Sequence, residues 1–191
     1  MNTDLKNEAQ NDFWVTVKLV GELFSEDGMR RHNARLGLEQ EGQKATPLLI
    51  GALKSKNTDV RWEAAKALIK IKDPLAADAL TDTLMDEDYE VRWLAAEALI
   101  ALGRDAIEPV LRKLLGHYDS TFLRTGAHHV LENLKRNETL DDETLKVLDE
   151  LNEILPFEPY PLGAKNALET LRRKEREQNT SKNKAAGSGK G

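Results

Sequence analysis

Few residues in this chain are of the kinds that do covalent chemistry. Among its 191 residues there is no cysteine and there are four histidines, which removes thiolate nucleophiles, a thioether intermediate on the chain and Cys-based zinc sites together. Three of the histidines, His117, His128 and His129, fall in one short stretch, and a metal is the first chemistry they suggest. Adjacent residues of a helix diverge by about 100°, however, so His128 and His129 cannot aim both imidazoles at one ion from a regular helix. His128 is expected to be packed or hydrogen-bonded and His129 to point outward. His117, beside Tyr118 and Asp119, could approach them and make a weak metal or pH-sensitive polar site. The clustered carboxylates, Glu87-Asp88 and Asp141-Asp142-Glu143, sit where helices should start and oppose the helix dipole. No phosphate-binding loop or nucleophile triad is present.

Two further residue types recur at a fixed interval. Val-Arg-Trp-Glu-Ala-Ala-Lys-Ala-Leu-Ile-Lys-Ile from Val60 and Val-Arg-Trp-Leu-Ala-Ala-Glu-Ala-Leu-Ile-Ala-Leu from Val91 share eight of twelve residues at an offset of 31. A period of roughly 20 to 50 residues marks an architecture of stacked units, none of which can bury its apolar face alone. Met29-Arg30 precede Val60-Arg61 by the same interval, and Leu123-Arg124 follow Val91-Arg92 by 32 residues. With Ala64 at the centre of the buried face, Val60, Arg61, Ala67, Leu68 and Ile71 lie within roughly 60° of it on a helical wheel. Arg30, Arg61, Arg92 and Arg124 are therefore expected to form a structural ladder bonding carbonyls or acidic caps of adjacent units. Trp62 and Trp93 fall about 160° from the core centre, with Ile69 and Ile100 near them. These four are expected to form an outward apolar stripe that binds a protein partner.

The elements that carry these residues follow from the breaks between them. Gly42, Lys72-Asp73 and Gly103 separate each motif helix from a second amphipathic helix, at Ala45 to Lys54, Pro74 to Met85 and Asp105 to Leu115. Polar loops at Asn57, Asp88 and Ser120 offer N-caps for the next motif helix. The expected organisation is a disordered 1–10, a cap helix over 11–24 with Phe13, Val17 and Val20 or Leu23 inward, and units at about 27–54, 58–86, 89–116 and 120–155. A rigid connector through Pro156, Pro159 and Pro161, a closing helix over 162–174 and a disordered basic tail over 175–191 complete it.

Charge narrows the function class. From Arg172 onward seven Lys/Arg face two Asp/Glu, so the net charge of −5 leaves −10 on the rest of the chain. An acidic body argues against nucleic acid as a partner, because that affinity rests on a basic surface. No apolar run approaches the roughly 20 residues a bilayer span needs, and Met1 to Asn11 carry no apolar signal core. The expectation is a cytoplasmic protein without membrane contact.

The motif Val60-Arg61, Ala64-Ala65, Ala67-Leu68, repeated as Val91-Arg92, Ala95-Ala96, Ala98-Leu99, resembles HEAT repeats of the short prokaryotic kind called phycobilisome-lyase HEAT-like repeats. The resemblance is clear from Asp27 to about Leu134 and looser in the flanking helices. Gly126-Ala127-His128-His129-Val130-Leu131 also resembles a form found in bacterial proteins of this class. It implies an all-α fold, an α-α superhelix of about four helical-hairpin repeats with helical caps. Members include scaffolds, chromophore lyase subunits and iron enzymes, so function does not follow from fold. Iron-dependent hydroxylases of similar build use His-Glu pairs at the start of paired helices. Here those places hold Trp62-Glu63, Trp93-Leu94 and His32-Asn33, without the imidazoles. The expectation is a non-catalytic scaffold or adaptor, without cofactor, that binds another protein. The alternative is an accessory subunit of a chromophore lyase-like or protein-modifying complex.

Overall fold

Polar side chains decide where the motif helices of this chain begin. The computed structural model describes residues 3–137, 140–152 and 162–187. After α1 (Thr3–Glu22) come four helices, α2 (Gly28–Glu41), α4 (Thr58–Ile71), α6 (Tyr89–Leu102) and α8 (Thr121–Arg136), capped by Asp27, Asn57, Asp88 and Ser120. Each cap accepts a backbone N–H that has no partner within the helix: Met29 N at 2.8 Å, Asp59 N at 2.9 Å, Glu90 N at 2.9 Å and Leu123 N at 3.3 Å. The first three of these helices stop at residues with positive φ, Gly42 (61°), Lys72 (53°) and Gly103 (64°). A left-handed residue turns the chain back along the helix it has just left. One 3-10 turn then leads into each of the second helices α3 (Thr46–Ala52), α5 (Ala77–Thr83) and α7 (Ile107–His117). α9 (Asp142–Asn152) pairs with α8, and α10 (Leu162–Gly187) closes the fold.

Stacking follows from side-chain size. α2, α4, α6 and α8 pack in series, and α5 lies on α7 in a second layer. Ala64, Ala65 and Ala67 on α4, with Ala95, Ala96 and Ala98 on α6, are buried, and small residues at a helix contact let the two axes approach. Leu49, Leu80, Leu84, Val110, Leu111 and Leu114 of the second layer fill the space beneath them in one continuous core. The described residues contain helices and turns and no strand, an all-α superhelix as the repeat predicts.

The structure corrects several boundaries. The N-caps of the first two units, Asp27 and Asn57, are 30 residues apart, against 31 and 32 for the later steps. The first unit is thus one residue out of the expected register. α1 begins at Thr3, within the segment expected to be disordered. It buries Thr16, with Leu19 and Val20 partly buried and Leu23 buried in the turn just after it, and leaves Phe13 exposed. Gly37 sets that rotation: a Cβ there would stand 3.0 Å from the Leu19 side chain, so α1 seats Leu19 where α2 has no side chain. α9 is described over Asp142–Asn152, and residues 153–155 of the expected fourth unit, with Pro156, Pro159 and Pro161, lie outside the described residues. α10 runs on to Gly187 rather than ending near Lys174. Its added turns are rich in Lys, Arg, Glu and Gln, good helix formers that carry the helix past its docked part.

Candidate functional site

The side chains not consumed by stacking gather at the first turns of the motif helices. An arginine stands four residues after each N-cap and reaches back to the preceding loop. Arg61 Nη1 donates to the Ser55 and Lys56 carbonyls at 2.9 and 3.3 Å, and Arg92 Nη1 to those of Asp86 and Glu87 at 2.7 and 3.0 Å. Arg124 Nη1 donates to the Tyr118 carbonyl at 2.6 Å. In the first unit Arg31 does this, to Ser25 and Glu26 at 2.9 and 3.1 Å. Arg30, expected on the ladder, is exposed, with its Nε 4.0 Å from Asp27. The spacing of 30 between the first two N-caps moves the ladder position on by one residue.

Beyond the carbonyls the arginines differ. Arg31 pairs with Asp59 at 3.0 Å. Arg61 is buried and holds Asp86 with two bonds, Nε to Oδ2 at 2.8 Å and Nη2 to Oδ1 at 2.9 Å, with Glu87 at 3.2 Å. The hydrogen bond to Asp86 raises the Arg61 guanidinium above its ordinary value, against the opposing effect of burial. Arg92 has no ion pair among the described residues; its guanidinium carbon lies 4.1 Å from the Phe122 ring centre and 5.7 Å from that of Tyr89.

The tryptophans occupy the next position along. Trp62 is half-buried, its Nε1 donates to Glu90 at 3.1 Å, and the Lys66 ammonium lies 4.1 Å over its ring. Trp93 is 45% exposed, and its ring centre is 4.6 Å from that of His129. Ile69 and Ile100 are half-buried and packed against the core. In the first unit His32 fills the tryptophan position, with Nδ1 2.9 Å from Arg35. The four-residue stripe is therefore uneven, open at Trp93 and partly covered elsewhere. Sequence reasoning missed its continuation across the seam of α6 and α8, where Tyr89 is 67% and Phe122 50% exposed. Tyr89 is i, i+4 to Trp93, and Phe122 is i, i+7 to His129, spacings that place each pair on one helix face. A second exposed cluster, Phe13 with Trp14, lies on α1.

The histidines divide between two surfaces. His129 Nε2 is 3.1 Å from Glu97 Oε1, and His128 is half-buried one residue before it. His117 is exposed at the end of α7, on the second-helix side, where it lines a groove with Asp78, Asp82 and Lys113. Among the described residues no three His, Asp or Glu side chains are placed to hold a metal ion. The second-helix surface is charged and carries ion pairs of Arg112 with Asp78, Lys113 with Asp82 at 2.7 Å, and Arg172 with Glu108 at 2.8 Å. No helix among the described residues is long and apolar enough to cross a membrane.

Comparison with known proteins bears on this arrangement. The family model for HEAT repeats matches residues 18–99 and 80–172. No curated protein matches the sequence. Among solved structures, the chain resembles one in the complex of CpcE and CpcF of phycocyanin lyase from Nostoc sp. PCC7120, at 21% identity over 80% of this chain and 96% of that chain, with a TM-score of 0.54. It is also similar to a designed armadillo repeat protein, at 19% identity over 80% of each chain and a TM-score of 0.44. An engineered protein is 24% identical over 83% of this chain and 47% of that one, with a TM-score of 0.46.

Proposed function

Since the chain belongs to the HEAT-repeat family, we propose that it works as a non-catalytic, cytoplasmic scaffold that binds another protein through the aromatic surface around Trp93. The observation that carries this reading is chemical economy. The Val, Arg, Ala and Leu positions of the repeat are spent on stacking, whereas Trp93, Tyr89 and Phe122 lie outside the buried core and are 45%, 67% and 50% exposed. Large aromatic side chains held on rigid helices lose little entropy on binding and dominate interface energetics. Trp62 and Ile69 of α4 and Ile100 of α6 are half-buried and would be covered further by a bound partner.

Capture of partners from the native organism tests this. Replacing Trp62 and Trp93 together by Ala is expected to abolish recovery of a specific partner while leaving helicity and the melting temperature near those of the unaltered protein. An unchanged set of recovered proteins overturns it. A second reading, an accessory subunit of a chromophore lyase-like complex, is favoured by the similarity in fold to the phycocyanin lyase chain. Visible absorbance of the protein purified together with its partner separates the two, since a bound pigment favours the second.

A further inference from the structure

Arg61 and Arg92 occupy equivalent places, four residues after the N-caps Asn57 and Asp88. Each is anchored by Nη1 to two carbonyls of the preceding loop. A planar guanidinium fixed at one nitrogen has its remaining edge, Nε and Nη2, set in direction as well. At Arg61 that edge is filled by the Asp86 carboxylate through two bonds of 2.8 and 2.9 Å. Asp86 stands two residues before the N-cap of the following unit. The residue two before the next N-cap, Ser120, is Tyr118. Burial first of all pushes its phenol up, so it stays neutral, and its ring lies 5.7 Å from Arg124. The repeat thus delivers a carboxylate to Arg61 and none to Arg92.

We propose that the Nε and Nη2 edge of Arg92 is a receptor for an aspartate or glutamate side chain of an acidic segment in the partner protein. The proposal rests on the interaction reading above and gives that surface its chemistry. Arg61 supplies the template, because the same guanidinium in the same pose takes a carboxylate in two-point fashion within this molecule. The Phe122 ring, 4.1 Å from the Arg92 guanidinium carbon, occupies one face of the cation, and among the described residues only Nη1 of this half-buried side chain is hydrogen-bonded. Stacking and the carbonyl anchors order the side chain before a ligand arrives, which lowers the entropy cost of binding. Tyr89 and Phe122, both exposed, offer apolar contact to the residues flanking the incoming acid.

Side-chain NMR of the full chain with three blocked octapeptides tests this. One carries two adjacent glutamates between leucines, one has glutamines there, and one has phosphoserines. The glutamate peptide is expected to shift the Arg92 Nε–Hε resonance and to bind about tenfold more tightly than the glutamine peptide, the worth of a charge-assisted bond. Arg92→Lys, which keeps the charge and loses the fork, and Tyr118→Asp, which keeps Arg92 and supplies a carboxylate in cis, should each weaken binding by about the same factor. The proposal falls if no peptide moves the resonance, if glutamine binds as tightly as glutamate, if phosphoserine binds more tightly, or if both variants leave the affinity unchanged. Should it fall while the Trp62 and Trp93 replacement still abolishes partner capture, the aromatic surface stands without the carboxylate receptor.

Discussion

Between the first two units a charge stands where later units carry methyl groups. Arg35, eight residues after the N-cap Asp27, takes the place of Ala65 and Ala96, and Glu63 takes that of Leu94. The two are buried and paired at 2.9 Å, with Glu39 also on Arg35. Such a pair costs much to break and little to replace, since its attraction is offset by the desolvation of both ions. Arg35→Ala strands the Glu63 carboxylate and should lower stability by about 3 kcal/mol in denaturant melts. Adding Glu63→Leu, which reproduces the Ala65 and Leu94 pattern and leaves only the partly exposed Glu39 without its partner, should recover most of that loss. This pair was hidden in the sequence by a single residue. The offset of 31 that sets Met29-Arg30 on Val60-Arg61 also sets Ala34 on Ala65 and Arg35 on Lys66, whereas the capping side chains align Arg35 with Ala65.

At the scale of helices, what the sequence showed well was whatever depends on near neighbours. Asn57, Asp88 and Ser120 cap the helices they were expected to cap, because a capping side chain bonds a donor two or three residues on. The rotation of α1 depends on Gly37 in another helix, and the period of apolar residues alone pointed to Phe13. Lys72 illustrates a local strain that can be relieved. It holds a left-handed conformation (φ 53°) where the equivalent residues are Gly42 and Gly103, and a Cβ in that region costs about 1 kcal/mol or more. Lys72→Gly should therefore stabilise the protein by roughly 0.5 to 1 kcal/mol after the added chain entropy of glycine, seen as a rise of about 1 to 4 °C in melting temperature. A fall in melting temperature would show that the Lys72 side chain contributes more than its backbone strain costs.

Across the whole molecule the stack is closed at one end by α10, which packs on both α7 and α9. Ala164, Ala167, Leu168 and Leu171 are buried there, and Lys174 meets Asp141 at 2.9 Å. Burial pushes the Asp141 carboxyl up, but bonds from Lys174 and from the Thr144 amide and hydroxyl outweigh it, and the group is held below its ordinary value. Asp141 therefore binds fewer protons folded than unfolded. Its contribution is complete above the unfolded value near 4 and is lost as pH falls through the lower folded one. Amide exchange in residues 164–171 should accelerate as pH drops below about 4, beyond the intrinsic trend, and Asp141→Asn should remove the difference. An identical acid response in Asp141→Asn would assign it to other carboxylates. The buried pair of Arg35 and Glu63 has a last consequence, for how the chain assembles. α4 and α6 share eight of twelve motif residues, so during folding α2 could dock on the wrong copy. Against α6 it would bring Arg35 to Leu94, so that the buried cation keeps Glu39 of its own helix and loses the carboxylate that Glu63 supplies from the correct neighbour. The ion pair thus acts as a key that fits one lock, and near-identical units find their order by what the wrong neighbour lacks.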